Sequence, residues 1–191
     1  MFVAEVDDVE KRILSGMFAD TALLLGVDLR KEEGEGESGL TSAEKSVEEF
    51  LRDLPEEQIG EPLDPALARL LPSAYEDEES ANEFRRLTEG DIRATKVERL
   101  RKWVHALRGP GVRLYVPVSE AGEWVAGLTD VRLVLATRLG IESEEDAEEV
   151  YNRAGPEGDA SEDYTEFALG QIYSALTWLQ ESLLSAMMSA R

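Results

Sequence analysis

The chain has 191 residues, no cysteine, one histidine and a formal net charge of −21. The lack of cysteine excludes disulfides, thiolate zinc sites and thiol nucleophiles, and the charge disfavours binding to nucleic acid or anionic lipid. The N-terminus lacks the basic start and long apolar run of a signal peptide, and no stretch approaches the roughly 18 apolar residues of a membrane span. We therefore expect a cytoplasmic protein without a membrane segment.

Two elements are predicted near the N-terminus. Apolar side chains over residues 2–6 indicate a short strand. A helix is expected from about Asp7 or Asp8 to Gly26, and its apolar positions recur at helical spacing, namely Val9, Ile13, Met17, Leu24 and Leu25.

The next region reads as a linker followed by a short helix. Residues 31–40 are acidic and rich in glycine, which is typical of a flexible linker. Thr41 and Glu44 match a capping box for a helix that ends near residue 54. Residues 55–63 contain two prolines and a glycine and are expected to be irregular.

Three helices are predicted in the middle of the chain. Asp64-Pro65 is a typical helix start. Further helices are expected over 77–87 and 89–108, with Thr88 capping the second of them. Gly109-Pro110-Gly111 then forms a turn.

Alternating residues 112–116 predict a second strand, whose natural partner is the strand at 2–6 because a lone strand leaves its backbone groups unpaired. Helices are expected over 119–139, capped by Ser119 and closed by Gly140, over 143–152, and from about 163 to 188. The pattern predicts a mainly α fold. We expect a single-domain helical bundle over residues 1–191, with one two-stranded element that pairs 2–6 with 112–116.

The charge is uneven along the chain. Residues 1–80 carry 7 basic and 22 acidic side chains, whereas residues 81–140 carry 11 and 7. This basic island either neutralises the acidic flanks or forms a functional patch. Its candidate residues are Arg85, Arg86, Arg93 and Lys96, and Arg93 falls within the apolar arc of its helix.

Two further helices carry candidate residues. The helix at 119–139 is apolar almost all round, yet it contains Asp130, Arg132 and Arg138; these form either a buried ion-pair network or the wall of a pocket. On the final helix, Phe167 and Trp178 project among small residues on one face. That face packs either against the predicted 41–54 helix or against a second copy in a homodimer.

No motif for catalysis or cofactor binding is found. His105 is the only histidine, the carboxylates lack EF-hand spacing, and neither a phosphate-binding P-loop nor a Gly-x-Ser-x-Gly elbow occurs. We therefore expect a non-enzymatic protein without a metal or cofactor.

Several segments together resemble a known family. They are Leu-Asp-Pro-Ala-Leu-Ala-Arg-Leu-Leu-Pro-Ser-Ala-Tyr at 63–75, Glu-Phe-Arg-Arg-Leu-Thr-Glu at 83–89, Asp-Ile-Arg-Ala-Thr-Lys at 91–96, Asp-Val-Arg-Leu-Val-Leu-Ala-Thr-Arg-Leu-Gly-Ile at 130–141 and Trp-Leu-Gln-Glu-Ser-Leu at 178–183. The set is similar to an actinobacterial family of domains of unknown function that includes the oxidative-stress transcriptional regulator AosR. The resemblance implies a transcriptional regulator that acts through protein partners such as RNA polymerase or a sigma factor. Sensing in AosR is tied to cysteine, which this chain lacks.

Three functional hypotheses follow. The first is the interaction protein that the resemblance implies. The second is direct DNA binding through the basic island, which the net charge and the absence of a basic recognition helix disfavour. The third is an anion or small-molecule sensor with Arg93, Arg132 and Arg138 around a buried pocket, because guanidinium groups suit carboxylate or phosphate ligands.

Overall fold

A computed structural model describes residues 1–31, 62–155 and 164–190. The linker predicted after Lys31, the helix predicted over 41–54 and most of the irregular segment 55–63 lie outside these residues. The described part is mainly helical, with one small antiparallel sheet, as the sequence predicts. Contacts divide the chain into two compact units, which we call the N-terminal unit (Val3–Tyr115) and the C-terminal unit (Met1–Phe2 with Val116–Arg191). The expectation of a single domain stays a prediction.

The two strands pair as predicted. Strand β1 spans Phe2–Glu5 and strand β2 spans Arg113–Val116. Beyond β1, the Val6 amide donates to the Val112 carbonyl at 2.8 Å, so the pairing continues by one residue.

Helix α1 spans Asp8–Leu24 and begins with a full capping box. The Asp7 carboxylate accepts from the amides of Val9 and Glu10 at 2.7 and 2.8 Å, while Glu10 accepts from the Asp7 amide at 2.8 Å. These bonds satisfy amides that a helix start otherwise leaves without partners. The sequence therefore located this start correctly.

The buried face of α1 coincides only in part with the apolar positions that predict the helix, since Leu25 at its end is buried. Val9 and Ile13 are 54% and 43% exposed, whereas Leu14 and Phe18 are buried. The Phe18 ring stacks on Trp103, with centroids 4.8 Å apart and planes at 15°. Helix α1 has apolar side chains on more than one face, so spacing alone could not show which face meets the core.

Two further helices lie in the part of the N-terminal unit described from residue 62 onward. Helix α2 spans Pro65–Leu70 and is capped by Asp64 as predicted. Helix α3 is a single helix over Glu78–Leu107, capped by Asp77, and α1 packs against it. The expectation of two helices divided at Thr88 is wrong. The Thr88 hydroxyl donates to the Phe84 carbonyl at 2.9 Å, a bond within a continuous helix rather than a cap.

Lys11 is buried and links α1 to the turn that follows α3. Its ammonium group donates to the carbonyls of Gly109, at 3.0 Å, and of Gly111. Gly111 has a φ of 79°, a conformation that other residues rarely adopt. The turn therefore presents its carbonyl oxygens to a cation near the C-terminal end of α3, where the helix dipole favours positive charge.

Replacing Lys11 with methionine should lower the free energy of unfolding by about 1–3 kcal/mol, because two backbone carbonyls lose their donor. Chemical denaturation measures this change. Lys31→Met is the control, since that lysine is largely exposed and should change stability by less than about 0.5 kcal/mol. Equal stability of Lys11→Met and the unmodified protein would contradict the role of Lys11.

The described residues of the C-terminal unit form the α-helices α4 (Ala121–Arg138), α5 (Glu144–Arg153) and α6 (Tyr164–Ser189), and α6 packs against the other two. The predicted Ser119 cap is replaced by a 3₁₀ turn over Val118–Glu120, and α4 has no side-chain cap. Gly140 closes α4 with a φ of 69°, as predicted.

The capping box predicted for α5 is present. The Ser143 hydroxyl accepts from the Asp146 amide at 3.1 Å, while the Asp146 carboxylate accepts from the amides of Glu142 and Ser143 at 2.9 Å. These amide bonds lower the pKa of Asp146. The carboxylate stabilises the helix start at neutral pH, and that contribution is lost as the pH falls through its folded-state pKa.

Candidate interaction surface

Helix α3 carries two buried arginines, Arg85 and Arg93, and a half-buried carboxylate between them, Glu89; we call these three residues the α3 triad. Glu89 Oε1 lies 2.8 Å from Arg93 Nε and 2.7 Å from Arg93 Nη2, and Glu89 Oε2 lies 3.1 Å from Arg85 Nη1. The three residues are four positions apart, which places them on one helix face. Glu89 thus supplies one carboxylate oxygen to each arginine.

The burial of the triad makes these ion pairs important for stability. Between 4% and 15% of each side chain is exposed. Removing a charge from water costs several kcal/mol unless partners replace the solvent. The Glu89 carboxylate therefore offsets the free-energy cost of burying Arg85 and Arg93.

Arg85 also joins the segment after α2 to α3. Its Nη1 atom donates to the Leu71 carbonyl at 3.3 Å. Four residues on, the Tyr75 ring meets the Phe84 ring edge to face, with centroids 5.7 Å apart and planes at 75°. The Ser73 hydroxyl donates to the Tyr75 carbonyl at 2.8 Å within the same segment. A buried charge at one end and an aromatic contact at the other thus hold residues 71–75 against α3.

The aromatic pair is exposed. Tyr75 is 53% exposed, Phe84 is also exposed, and Leu87 lies one helical turn beyond Phe84 with most of its side chain in solvent. Single exposed apolar residues are ordinary, whereas a contiguous group of them is typical of a contact site. We call Tyr75, Phe84 and Leu87 the aromatic patch.

Acidic side chains flank the aromatic patch in sequence. Five are exposed on the segment and helix that carry the patch, namely Glu76, Asp77, Glu78, Glu79 and Glu83. Hydrogen bonds from the Ser80 side chain and amide lower the pKa of Asp77, so this capping residue is charged at neutral pH. The patch and these five acids together form what we call the acid–aromatic surface.

Residues 1–187 match the model of a family described as a domain of unknown function, DUF2017. The chain belongs to the DUF2017 family. No curated protein and no solved structure matches it. The family model covers both units, including every residue of the acid–aromatic surface.

The basic candidates of this DUF2017 chain have different surroundings. Arg85 and Arg93 are buried and share Glu89. Arg86 is exposed and Lys96 is half-buried. Two arginines of the basic island are therefore buried in ion pairs along α3 and do not contribute to an exposed basic surface.

The candidates on α4 also differ from one another. Asp130 is buried and Arg138 is exposed. Half-buried Arg132 donates from Nη1 to Oε1 of the Gln180 side chain at 2.7 Å and from Nη2 to the Tyr173 hydroxyl at 3.4 Å. Its guanidinium carbon also lies 5.3 Å from the Tyr173 ring centroid, a cation–π arrangement.

Arg132 thus binds an amide and an aromatic side chain of α6. Within the described residues no carboxylate pairs with it, so the predicted ion-pair network does not include Arg132. Gln180 completes a chain of polar contacts by donating from Nε2 to the Thr129 hydroxyl at 2.9 Å. These bonds tie α4 to α6 inside the C-terminal unit. The sensor hypothesis requires Arg93, Arg132 and Arg138 to line a buried pocket. Arg93 instead pairs with Glu89, and Arg138 is exposed.

The two candidates on the final helix differ in exposure. Trp178 is 65% exposed, whereas Phe167 is half-buried. Both lie on α6.

The described residues contain no group of three or more histidine and carboxylate side chains placed to hold a metal ion. No helix among them is long and apolar enough to cross a membrane.

Three important residues did not stand out in the sequence. Glu89 lies four positions after Arg85 and four before Arg93, a spacing that could have indicated the triad. Gln180 and Tyr75 gave no comparable signal, because their partners come from other segments.

Proposed function

We propose that this chain is a non-enzymatic regulatory protein that acts on transcription through protein contacts, and that the acid–aromatic surface binds its partner. The exposed Tyr75–Phe84 pair is the observation that carries the proposal. The resemblance to the family that includes AosR supports the choice of RNA polymerase or a sigma factor as the partner.

The composition of the surface suits a protein partner. Aromatic side chains supply much of the binding energy at protein interfaces, because they bury a large area with few rotatable bonds. Carboxylates at the rim speed up encounter with a basic partner and select against acidic ones. Both features occur here within about a dozen residues of the chain.

The surface is also ordered before binding. Tyr75 contacts Phe84 on a 30-residue helix, and Arg85 fixes the preceding segment through the Leu71 carbonyl. An ordered surface loses less conformational entropy on binding than a flexible one. The buried α3 triad therefore supports the proposed contact indirectly, by holding the segment that carries Tyr75.

Affinity capture from a lysate, followed by mass spectrometry, tests the proposal. The unmodified chain should enrich RNA polymerase subunits or a sigma factor over an unrelated acidic protein of matched charge. Tyr75→Ala should weaken binding of the purified partner about thirty-fold, which corresponds to loss of a contact worth about 2 kcal/mol.

Tyr115→Ala is the matched control, because that tyrosine on β2 is 50% exposed, close to the value for Tyr75. It should bind as the unmodified chain does. Failure to enrich any transcription protein would overturn the function. Equal binding by Tyr75→Ala would instead show that the acid–aromatic surface is not the site.

A further inference from the structure

The acid–aromatic surface continues along helix α3 in a row of residues spaced four apart. This row, which we call the α3 row, contains Glu79, Glu83, Leu87 and Asp91, and all four side chains are exposed. Residues four apart lie about 6 Å from one another along the axis, on the same side of the helix. Leu87, which is 70% exposed, therefore has one carboxylate a turn before it and another a turn after it.

The carboxylates of the α3 row have no counter-ion in the described part of the chain. Glu79, Glu83 and Asp91 form no ion pair with any residue that the structure describes. Arg86 is exposed, but it lies about 160° around the helix from Phe84 and so faces away from the aromatic patch. Glu79 and Glu83 are like charges four residues apart, which destabilises a helix slightly. The row thus keeps its negative charge at a small cost in helix stability.

Other carboxylates of α3 and its cap have partners within the fold. Glu89 binds two buried arginines, Glu98 pairs with an arginine three residues on, and Asp77 caps the helix start. Among the described residues, Glu83 and Asp91 have no such role. Their charge is therefore available to a partner, and it lies directly beside exposed apolar side chains.

We propose that the partner segment bound at the acid–aromatic surface is basic, with an apolar side chain that packs beside Phe84 and Leu87 and a lysine or arginine on either side of it. The inference rests on the proposed function and specifies the chemistry of the partner at the same surface. Glu83 and Asp91 are about 12 Å apart along the helix axis, with Leu87 midway between them. The two basic side chains are therefore expected about 6 Å to either side of the apolar one.

Charge and apolar area act together in this recognition. A chain with a net charge of −21 attracts basic segments to many places, so charge alone does not select a surface. Burying Phe84 and Leu87 adds a favourable contribution that a purely acidic surface lacks. Helix α5 provides the comparison, because it exposes Glu144 and Glu148 with one large apolar side chain, Tyr151, rather than a contiguous group.

A synthetic leucine–lysine peptide tests the inference. The probe is an amphipathic helix of about four turns with leucines on one face and lysines on the other, and fluorescence anisotropy measures its Kd. Glu83→Gln combined with Asp91→Asn should weaken binding about tenfold, and so should Leu87→Ala. Glu144→Gln combined with Glu148→Gln is the matched control, because it removes the same charge from exposed positions, and should weaken binding less than about twofold.

Two altered peptides separate the roles of charge and apolar area. Replacing the lysines with glutamate should abolish binding, and replacing the leucines with serine should weaken it at least about tenfold. Equal weakening by the two double variants, or undiminished binding of the serine peptide, would show a response to net charge alone and would overturn the inference.

The transcription protein captured by the unmodified chain gives a second readout. Its binding should also fall about tenfold when Glu83→Gln and Asp91→Asn are combined. If that binding required Tyr75 but not Glu83, Leu87 or Asp91, the proposed function would stand, while the basic chemistry inferred for the partner would be wrong.

Discussion

Replacing Glu89 with glutamine is expected to lower the free energy of unfolding by about 3–5 kcal/mol, the usual cost of removing one partner from a buried ion pair. Glutamine has nearly the same volume, so the loss is electrostatic. One of its two terminal atoms becomes an amide donor and would face a guanidinium group. The glutamine side chain would offer Arg85 and Arg93 one acceptor oxygen in place of the two that Glu89 supplies.

Chemical denaturation with linear extrapolation measures the effect. Glu83→Gln is the matched control on the same helix, where the carboxylate is exposed, and should change stability by less than about 0.5 kcal/mol. A loss below about 1 kcal/mol for Glu89→Gln would show that the arginines do not depend on this carboxylate. Most domains are stable by only about 5–15 kcal/mol, so the predicted loss is a large part of the total.

Truncating Phe18 to alanine is expected to cost about 3–5 kcal/mol, because the ring is fully buried and stacked on Trp103. The near-ultraviolet circular dichroism of Trp103 should change as well, since its neighbouring ring is lost. Thermal and chemical unfolding measure the change in stability.

Ile13→Ala distinguishes the two faces of α1. Ile13 is one of the apolar positions that predict the helix, yet it is 43% exposed, so its truncation should change stability by less than about 1 kcal/mol. If Ile13→Ala proved as costly as Phe18→Ala, the buried face of α1 would be the one that contains Val9 and Ile13.

Local signals in the sequence predict the ends of several elements well. The capping boxes at Asp7 and Ser143 and the glycine that closes α4 follow directly from residue type and spacing. The pairing of residues 2–6 with 112–116 follows because only two strand candidates were found. The helix ends depend on residues close together in the sequence, and the strand pairing followed because no other candidate strand was available. Both can be judged from a single sequence.

Features that depend on which side chains meet one another were harder to predict. Thr88 with Asp91 resembles a cap, but the ion pairs of Glu89 with Arg85 and Arg93 bridge the same turn and accompany a continuous helix. The sequence around Arg132 does not indicate whether its guanidinium group will bind a carboxylate or, as observed, the side-chain amide of Gln180. The acid–aromatic surface was also missed, because the contact of Tyr75 with Phe84 joins two predicted elements.

The bonds between Lys11 and the turn at Gly109–Gly111 have a consequence for the order of events during synthesis. Lys11 Nζ and the Gly109 carbonyl are 98 residues apart in the chain, and strand β1 is made long before β2. A ribosome that adds about 5–20 residues per second needs roughly 5–20 s to make the intervening chain. During that time the first strand has no partner, and closing so long a loop makes its pairing a late and slow step of folding.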